Sequence, residues 1–195
     1  MDHTKTYFYK DKPLFGLDIG YSSIKVMQLK PHGKTYEVVG YGVTGYDSSA
    51  MKDGVIIEPE KIAEAALELF KKNIIGSINT RRVALNIPAS RTFARTMMLP
   101  NIPDHELSEA VRMEIAQYIP VPLEELYLDY SVINRSPKEV ELLAVASPKK
   151  ITDSYMNLMQ ILGLEPVAFD TSIDAAGRLF DFQADHKEIP AVLID

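Results

Sequence analysis

Cysteine is absent from the 195 residues, which removes disulfide frameworks, thiolate metal sites and thiol nucleophiles together and suits a reducing compartment. A basic excess is missing too. With 21 Lys and Arg against 27 Asp and Glu, the net charge is -6, so there is no surplus to neutralise a nucleic acid backbone or hold an anionic membrane surface. No segment approaches the roughly 20 apolar residues a helix needs to cross a bilayer. The polar stretch Met1 to Pro13 is not followed by an apolar run of signal-peptide length. His3, His32, His105 and His186 are scattered without metal-ligand spacing. The expectation is a cytoplasmic globular protein without a nucleic acid partner, reaching the membrane only through another protein.

What is present begins with alternation. Leu14 to Ile19, Ile24 to Leu29 and Tyr36 to Tyr46 read as three strands of an antiparallel meander, joined by Gly20-Tyr21-Ser22-Ser23 and by Pro31-His32-Gly33-Lys34. Pro59 occupies a first helical position, Ile62, Ala65, Ala66, Leu69 and Phe70 recur at helical spacing, and Gly76 is placed as the stop. Arg82 to Ile87 reads as a buried strand ended by Pro88. After it come a strand from Arg91 to Leu99 and a helix with Leu107, Val111, Ile115 and Ile119 on one side. Strands Tyr127 to Asn134 and Val140 to Ala146 follow, then a helix capped by Ser147-Pro148 that runs to Gly163. Pro166 to Asp170 is a further strand, Ser172 to Phe180 a short helix, and Ala191 to Ile194 a last apolar run ending at Asp195.

Phe15 to Lys25 carries the chemistry. A strand ending in Asp18, a tight turn with hydroxyls and a second strand opening Ile24-Lys25 can aim successive backbone N–H groups at one point, a nest for phosphate oxygens. Asp18 suits Mg²⁺ held through water, since that ion takes few carboxylates. Gly20 permits positive φ and close approach, Ser22 and Ser23 add hydroxyl donors, and Lys25 supplies a charge. An ordinary Gly-Ser hairpin has the same local residues, which do not choose between the two readings.

The hairpin resembles the first phosphate motif of the actin, heat-shock-chaperone and sugar-kinase superfamily. The whole segment Leu14 to Asp195 resembles the PilM family of type IV pilus assembly proteins, relatives of the cell-division protein FtsA. Glu114-Ile115-Ala116-Gln117-Tyr118-Ile119-Pro120-Val121-Pro122-Leu123-Glu124-Glu125 is similar to that family's Glu-x-x-Gln-Tyr-Ile-Pro-Phe-Pro-Leu-Glu-Glu signature. Arg82 to Pro88 followed by an inserted block, and Gly163 to Asp170 returning to the sheet, are similar to its arrangement. Ala191 to Asp195 resembles the start of its second phosphate motif.

The resemblance implies an α/β, actin-like (ribonuclease H-like) fold with a mixed five-stranded sheet. A tail, 1–13, would precede a first actin-like subdomain of 14–89 and 166–189, an α+β insertion of 90–165, and at 190–195 the start of a second actin-like domain. It implies a scaffold that binds ATP with Mg²⁺ through Asp18, Gly20, Tyr21, Ser22, Ser23, Lys25 and Asp195. Such a scaffold docks a PilN-like cytoplasmic tail between its subdomains and forms a homo-oligomeric ring, with at most weak ATPase activity in the full-length protein. The position that orients an attacking water in hydrolysing relatives falls at Asp170 and Thr171. Two alternatives are an FtsA-like membrane-tethered filament protein and a sugar or acid kinase of the same superfamily.

Other features have plainer readings. Tyr21 stands where the family has a small residue, tolerable if it points away from the phosphates. Pro103 replaces a capping serine, leaving Asp104 as the cap. Gly40-Tyr41-Gly42-Val43-Thr44-Gly45 fits the dinucleotide fingerprint, but a loop rather than a helix follows, so the glycines are read as strand-end bends. Lys149 and Lys150 open a helix where cations are unfavourable to the dipole, and Met97-Met98-Leu99 is read as core.

Overall fold

The computed structural model describes residues 12–33, 35–172, 175–177 and 179. Strands β1 (Phe15–Ile19), β2 (Ser23–His32) and β3 (Thr35–Gly45) form the antiparallel meander. Its two-residue period buries Phe15, Leu17, Ile19, Ile24 and Val26 on one face. The short strands β4 (Met51–Lys52) and β5 (Val55–Ile56) precede helix α1 (Pro59–Lys72), the two-residue β6 (Ile75–Gly76) and β7 (Arg82–Ile87). Then come β8 (Phe93–Pro100), α2 (Asp104–Ile115), β9 (Leu126–Arg135), β10 (Glu139–Pro148), α3 (Lys149–Leu162) and β11 (Glu165–Thr171).

The main sheet runs β11-β7-β1-β2-β3-β6, with β7 parallel to both β1 and β11. The five expected strands are all in it, and β6 adds two residues at its edge. A second sheet, β8-β10-β9, is antiparallel throughout. Leu107, Val111 and Ile115 of α2 and the following Ile119 pack on it with Met97, Leu99, Leu142 and Ala144, so Met97 and Leu99 are core as expected while Met98, on the opposite face of β8, is exposed.

The packing divides the chain differently from the inserted block read at 90–165. Ile151, Tyr155, Leu158 and Met159 of α3 belong to the first core, with Phe15, Leu17, Ile62, Leu69, Val83 and Leu85. The separately packed unit is β8 to β10. Helical periodicity shows that one side of α3 is buried but not what it is buried against. The small sheet is fastened to this helix: the Tyr127 hydroxyl donates to Asp153 Oδ1 at 2.9 Å, and Lys149 Nζ stands 5.5 Å above the Tyr127 ring. That contact gives the N-terminal lysine of α3 a partner.

Four local expectations change. Helix α1 ends at Lys72, with the Asn73 N–H bonded to Leu69 O, rather than running to Gly76. Gly76 lies in β6 at φ +80°, where a Cβ would collide with Val39 O. Asp104 is the first residue of α2 rather than its cap; Pro103 holds the cap position without a side-chain bond, and Asp104 pairs with Arg135. Ser147 belongs to β10 and exchanges a 3.0 Å hydrogen bond with Thr152 in place of capping α3. Gly40 and Gly42 are not a dinucleotide loop and do not lie at a strand end: both are inside β3, Gly40 beside a register irregularity opposite Gln28 and Leu29, where other chain segments press close. A Cβ on Gly42 would sit 2.8 Å from Leu69 Cδ1 and 2.9 Å from Asn73 O.

Gln28, only 3% exposed, fixes the loop that leads into β7. Its side-chain amide donates to Asn79 Oδ1 at 2.9 Å and accepts from Asn79 N at 3.1 Å.

Gly42→Ala should lower the unfolding free energy by about 1–3 kcal/mol through overpacking. Gly16→Ala, whose Cβ would meet nothing closer than Met27 O at 3.8 Å, should change it far less. Urea unfolding of the two variants checks this, and equal effects would remove the packing explanation.

Candidate functional site

The parallel strands β1, β7 and β11 point their carboxyl ends the same way, and a cleft of about 840 Å³ opens there. Crevices at the carboxyl ends of parallel strands are where open α/β sheets place ligands. The lining comes from Asp18 to Ser23 and Lys25, from Met51 to Gly54, from Asn86 to Arg91, and from Ser172.

The β1–β2 turn closes with the Gly20 N–H donating to Ser23 O at 2.9 Å, leaving Tyr21 and Ser22 at its corners. Among the described residues, neither corner amide donates to a backbone carbonyl. Tyr46, just beyond β3, clips the turn from behind: its N–H donates to Ser22 O at 3.0 Å and its hydroxyl to Gly20 O at 2.5 Å. The Gly20, Ser22 and Ser23 carbonyls are therefore engaged within the fold, whereas the Tyr21 and Ser22 amides are left as groups able to meet an anion. Gly20 does not have the positive φ expected of it, since the turn closes without any residue entering the left-handed region. A Cβ there would meet only ordinary contacts, at 3.6 Å.

Asp18 and Lys25 are register partners across β1 and β2, and Lys25 Nζ lies 3.3 Å from Asp18 Oδ2. Beneath them the phenol of Tyr46 is pushed up to about 12, first by burial and then by the negative charge of Asp18 and by Tyr21. Tyr155 of α3 is fully buried, and its hydroxyl has no hydrogen-bond partner among the described residues. Burial, followed by Tyr46 and Asp18, raises its phenol as well. Both phenols stay neutral below the turn, so the carboxylate above them meets no second negative charge.

Asp18, Gly20, Tyr21, Ser22, Ser23 and Lys25 are thus gathered into one cleft. Tyr21 is 70% exposed and lines that cleft, where the sequence argument asked it to point away. Asp170 and Thr171 end β11 without lining it: Asp170 Oδ1 accepts from Thr171 N at 2.9 Å, Thr171 is buried, and Ser172 is the lining residue. Asp195 lies outside the described residues.

Sequence reasoning missed the β4–β5 hairpin, read as plain loop, and with it Lys52, Asp53 and Arg91 in the lining. The signal was Asp53-Gly54, a dipeptide that favours two-residue hairpin turns; Met51 pairs with Ile56 and Lys52 with Val55 around it. The Gln117-Tyr118 signature sits elsewhere. The Gln117 amide and the Tyr118 hydroxyl both bond the Glu114 carboxylate, at 3.2 and 3.1 Å, while Arg95 stacks 3.7 Å above the Tyr118 ring. Its work is to close the end of α2 against β8.

The residues present fit a phosphate-bearing ligand, on the observation that the two corner amides lack an internal backbone partner. The described residues contain no cluster of three or more acidic or histidine ligands. An Mg²⁺ here would rest on Asp18 through water, in keeping with its preference for retaining its hydration shell.

Whereas the backbone N–H of Tyr46 holds Ser22 O at any pH, its hydroxyl holds Gly20 O only while it is protonated. Its folded pKa lies above the unfolded value, so its contribution to stability is complete below about pH 10 and is lost as pH rises through about 12. Tyr46→Phe should lower stability at pH 7 by about 1 kcal/mol and flatten the decline between pH 10 and 12. Urea midpoints measured across that range test it, and an unchanged slope would contradict the assignment.

The family model for type IV pilus assembly protein PilM matches residues 16–187. Among solved structures, a PilM-PilN type IV pilus biogenesis complex superposes with a TM-score of 0.75 at 22% identity, covering 86% of this chain and 51% of that one. The chain therefore spans about half the length of that relative. The cytoplasmic domain of EpsL, an inner membrane component of the type II secretion system of Vibrio cholerae, matches with a TM-score of 0.54 at 11% identity, over 81% and 57% of the two chains. A Bacteroides thetaiotaomicron protein with an actin-like ATPase fold and unknown function matches more loosely, with a TM-score of 0.43 at 10% identity, over 86% and 55%. With most of its length matched by the family model and its fold shared with the PilM-PilN complex, the chain belongs to the PilM family of type IV pilus assembly proteins.

Proposed function

We propose that this chain carries one side of an ATP-binding site in a cytoplasmic scaffold of type IV pilus assembly. The observation that carries the reading is the convergence of Asp18, the Tyr21 and Ser22 amides, Ser23 and Lys25 on one cleft at the carboxyl ends of parallel strands. The turn cradles phosphate oxygens, Lys25 exchanges its carboxylate for phosphate, and Asp18, released from Lys25, holds the water shell of Mg²⁺. Binding rather than turnover is the role. Asp170 and Thr171, the positions assigned to water activation, are outside the lining, which supports weak hydrolysis at most.

The partner is a PilN-like cytoplasmic tail, by analogy with the PilM-PilN complex that shares the fold. The proposed place is the boundary between the two sheets. The order β8-β10-β9 leaves two edge strands able to accept an extended peptide. Membrane association comes through that partner, and no helix among the described residues is long and apolar enough to cross a membrane. In the full-length form the scaffold assembles as a ring of copies.

Calorimetry of the full-length protein with ATP and Mg²⁺ should give a saturable isotherm. Asp18→Ala should weaken it about tenfold and remove most of its Mg²⁺ dependence, as expected when one charged group on a bound ion is deleted. No binding by the wild-type protein would end the nucleotide reading. A peptide of the PilN cytoplasmic tail should co-elute with the full-length protein, and failure to bind it would favour the FtsA-like alternative.

A further inference from the structure

A second ion pair stands in the cleft lining, built by different segments from the first. Arg91 Nη2, on the turn after β7, lies 2.8 Å from Asp53 Oδ1 at the tip of the β4–β5 hairpin. The hairpin is shaped to hold it. Asp53 has φ +53° and Gly54 φ +80°, the only adjacent pair of left-handed residues among those described. A Cβ on Gly54 would sit 3.1 Å from Arg91 Cγ, so glycine at this position makes room for the arginine stem as well as the turn. The hairpin itself is anchored from α3, where Ser154 Oγ accepts from Ile56 N at 3.1 Å.

This geometry is built, yet the ion pair it holds is weak. The Arg91 side chain is about half exposed and that of Asp53 about two-thirds, and such pairs contribute little to stability. A guanidinium, always charged and shaped as a fork, binds phosphate in two-point fashion where an ammonium offers a single point charge. We propose that Arg91 is a phosphate-gripping residue that exchanges Asp53 for the phosphate chain of a nucleoside polyphosphate, working with Lys25 from a separate segment of the same cleft. The inference rests on the nucleotide-binding reading above. It makes Asp53 an internal competitor, an anion the incoming phosphate must displace.

Removing the cation and removing its competitor then act in opposite directions. Calorimetry on the full-length protein, with Mg²⁺, would compare ATP, inorganic tripolyphosphate and adenosine. Arg91→Ala should weaken ATP and tripolyphosphate by about tenfold. Asp53→Asn, which keeps a residue tolerant of positive φ, should tighten both by about two- to fivefold. Adenosine should be unaffected by either change. A purely structural ion pair would make the two substitutions act alike, and that result overturns the proposal. So does an unchanged affinity in Arg91→Ala while Lys25→Ala loses binding, an outcome that leaves the nucleotide reading intact. Absence of ATP binding in the wild-type protein removes both.

Discussion

The register of β1 against β2 is the constraint from which the site follows. Leu17, Ile19, Ile24 and Val26 are buried, and strand side chains alternate between faces. Asp18 and Lys25 must therefore share the other face, and the pairing of Asp18 with Lys25 sets them directly opposite each other. A slip of β2 by one residue against β1 would turn Lys25 toward the core and bring Ile24 and Val26 out of it. The apolar core thus holds the charged pair in place more strongly than the 3.3 Å contact between the two groups could. Parallel pairing of β7 with β1 and of β11 with β7 then brings Asn86 to Arg91 and Ser172 to the same end of the sheet.

Much of this was legible because it rests on period and punctuation. The meander, α1 and α2 announce themselves through alternation or helical spacing, and β7 through a short apolar run ended by Pro88. The hairpin residues gathered in the cleft were all named from sequence. What escaped has identifiable causes. Strands β4 and β5 have two residues each, too short for any period, and only Asp53-Gly54 marks them. Arg91 reads as an ordinary loop cation until the hairpin is placed beside it. The choice between Thr171 and Ser172 depends on where β11 ends, and strand ends are not set by alternation.

The glycines of β3 show a similar limit. Gly40-x-Gly42-x-x-Gly45 matches a ligand-binding pattern, yet a Cβ on Gly40 would meet the Ser77 backbone and one on Gly42 the end of α1. The same residue type answers to two needs, ligand approach and chain approach, and only tertiary contacts distinguish them. The Gln117-Tyr118 signature has the reverse character. It carries the resemblance to the family without lining the cleft, and its hydrogen bonds close on Glu114 at the end of a helix.

Pro148 ends β10 and occupies the cap position of α3, so no loop separates the small sheet from the main core at that crossing. The other crossing, 88–92, is a single short turn that carries Arg91. The small sheet is therefore joined to the main core by two short crossings, one continuing into the helix that anchors the β4–β5 hairpin and the other forming part of the cleft lining. Both crossings end on the two partners of one ion pair, Arg91 directly and Asp53 through the anchored hairpin, so the seat of the small sheet and the spacing of that pair are set by the same segments.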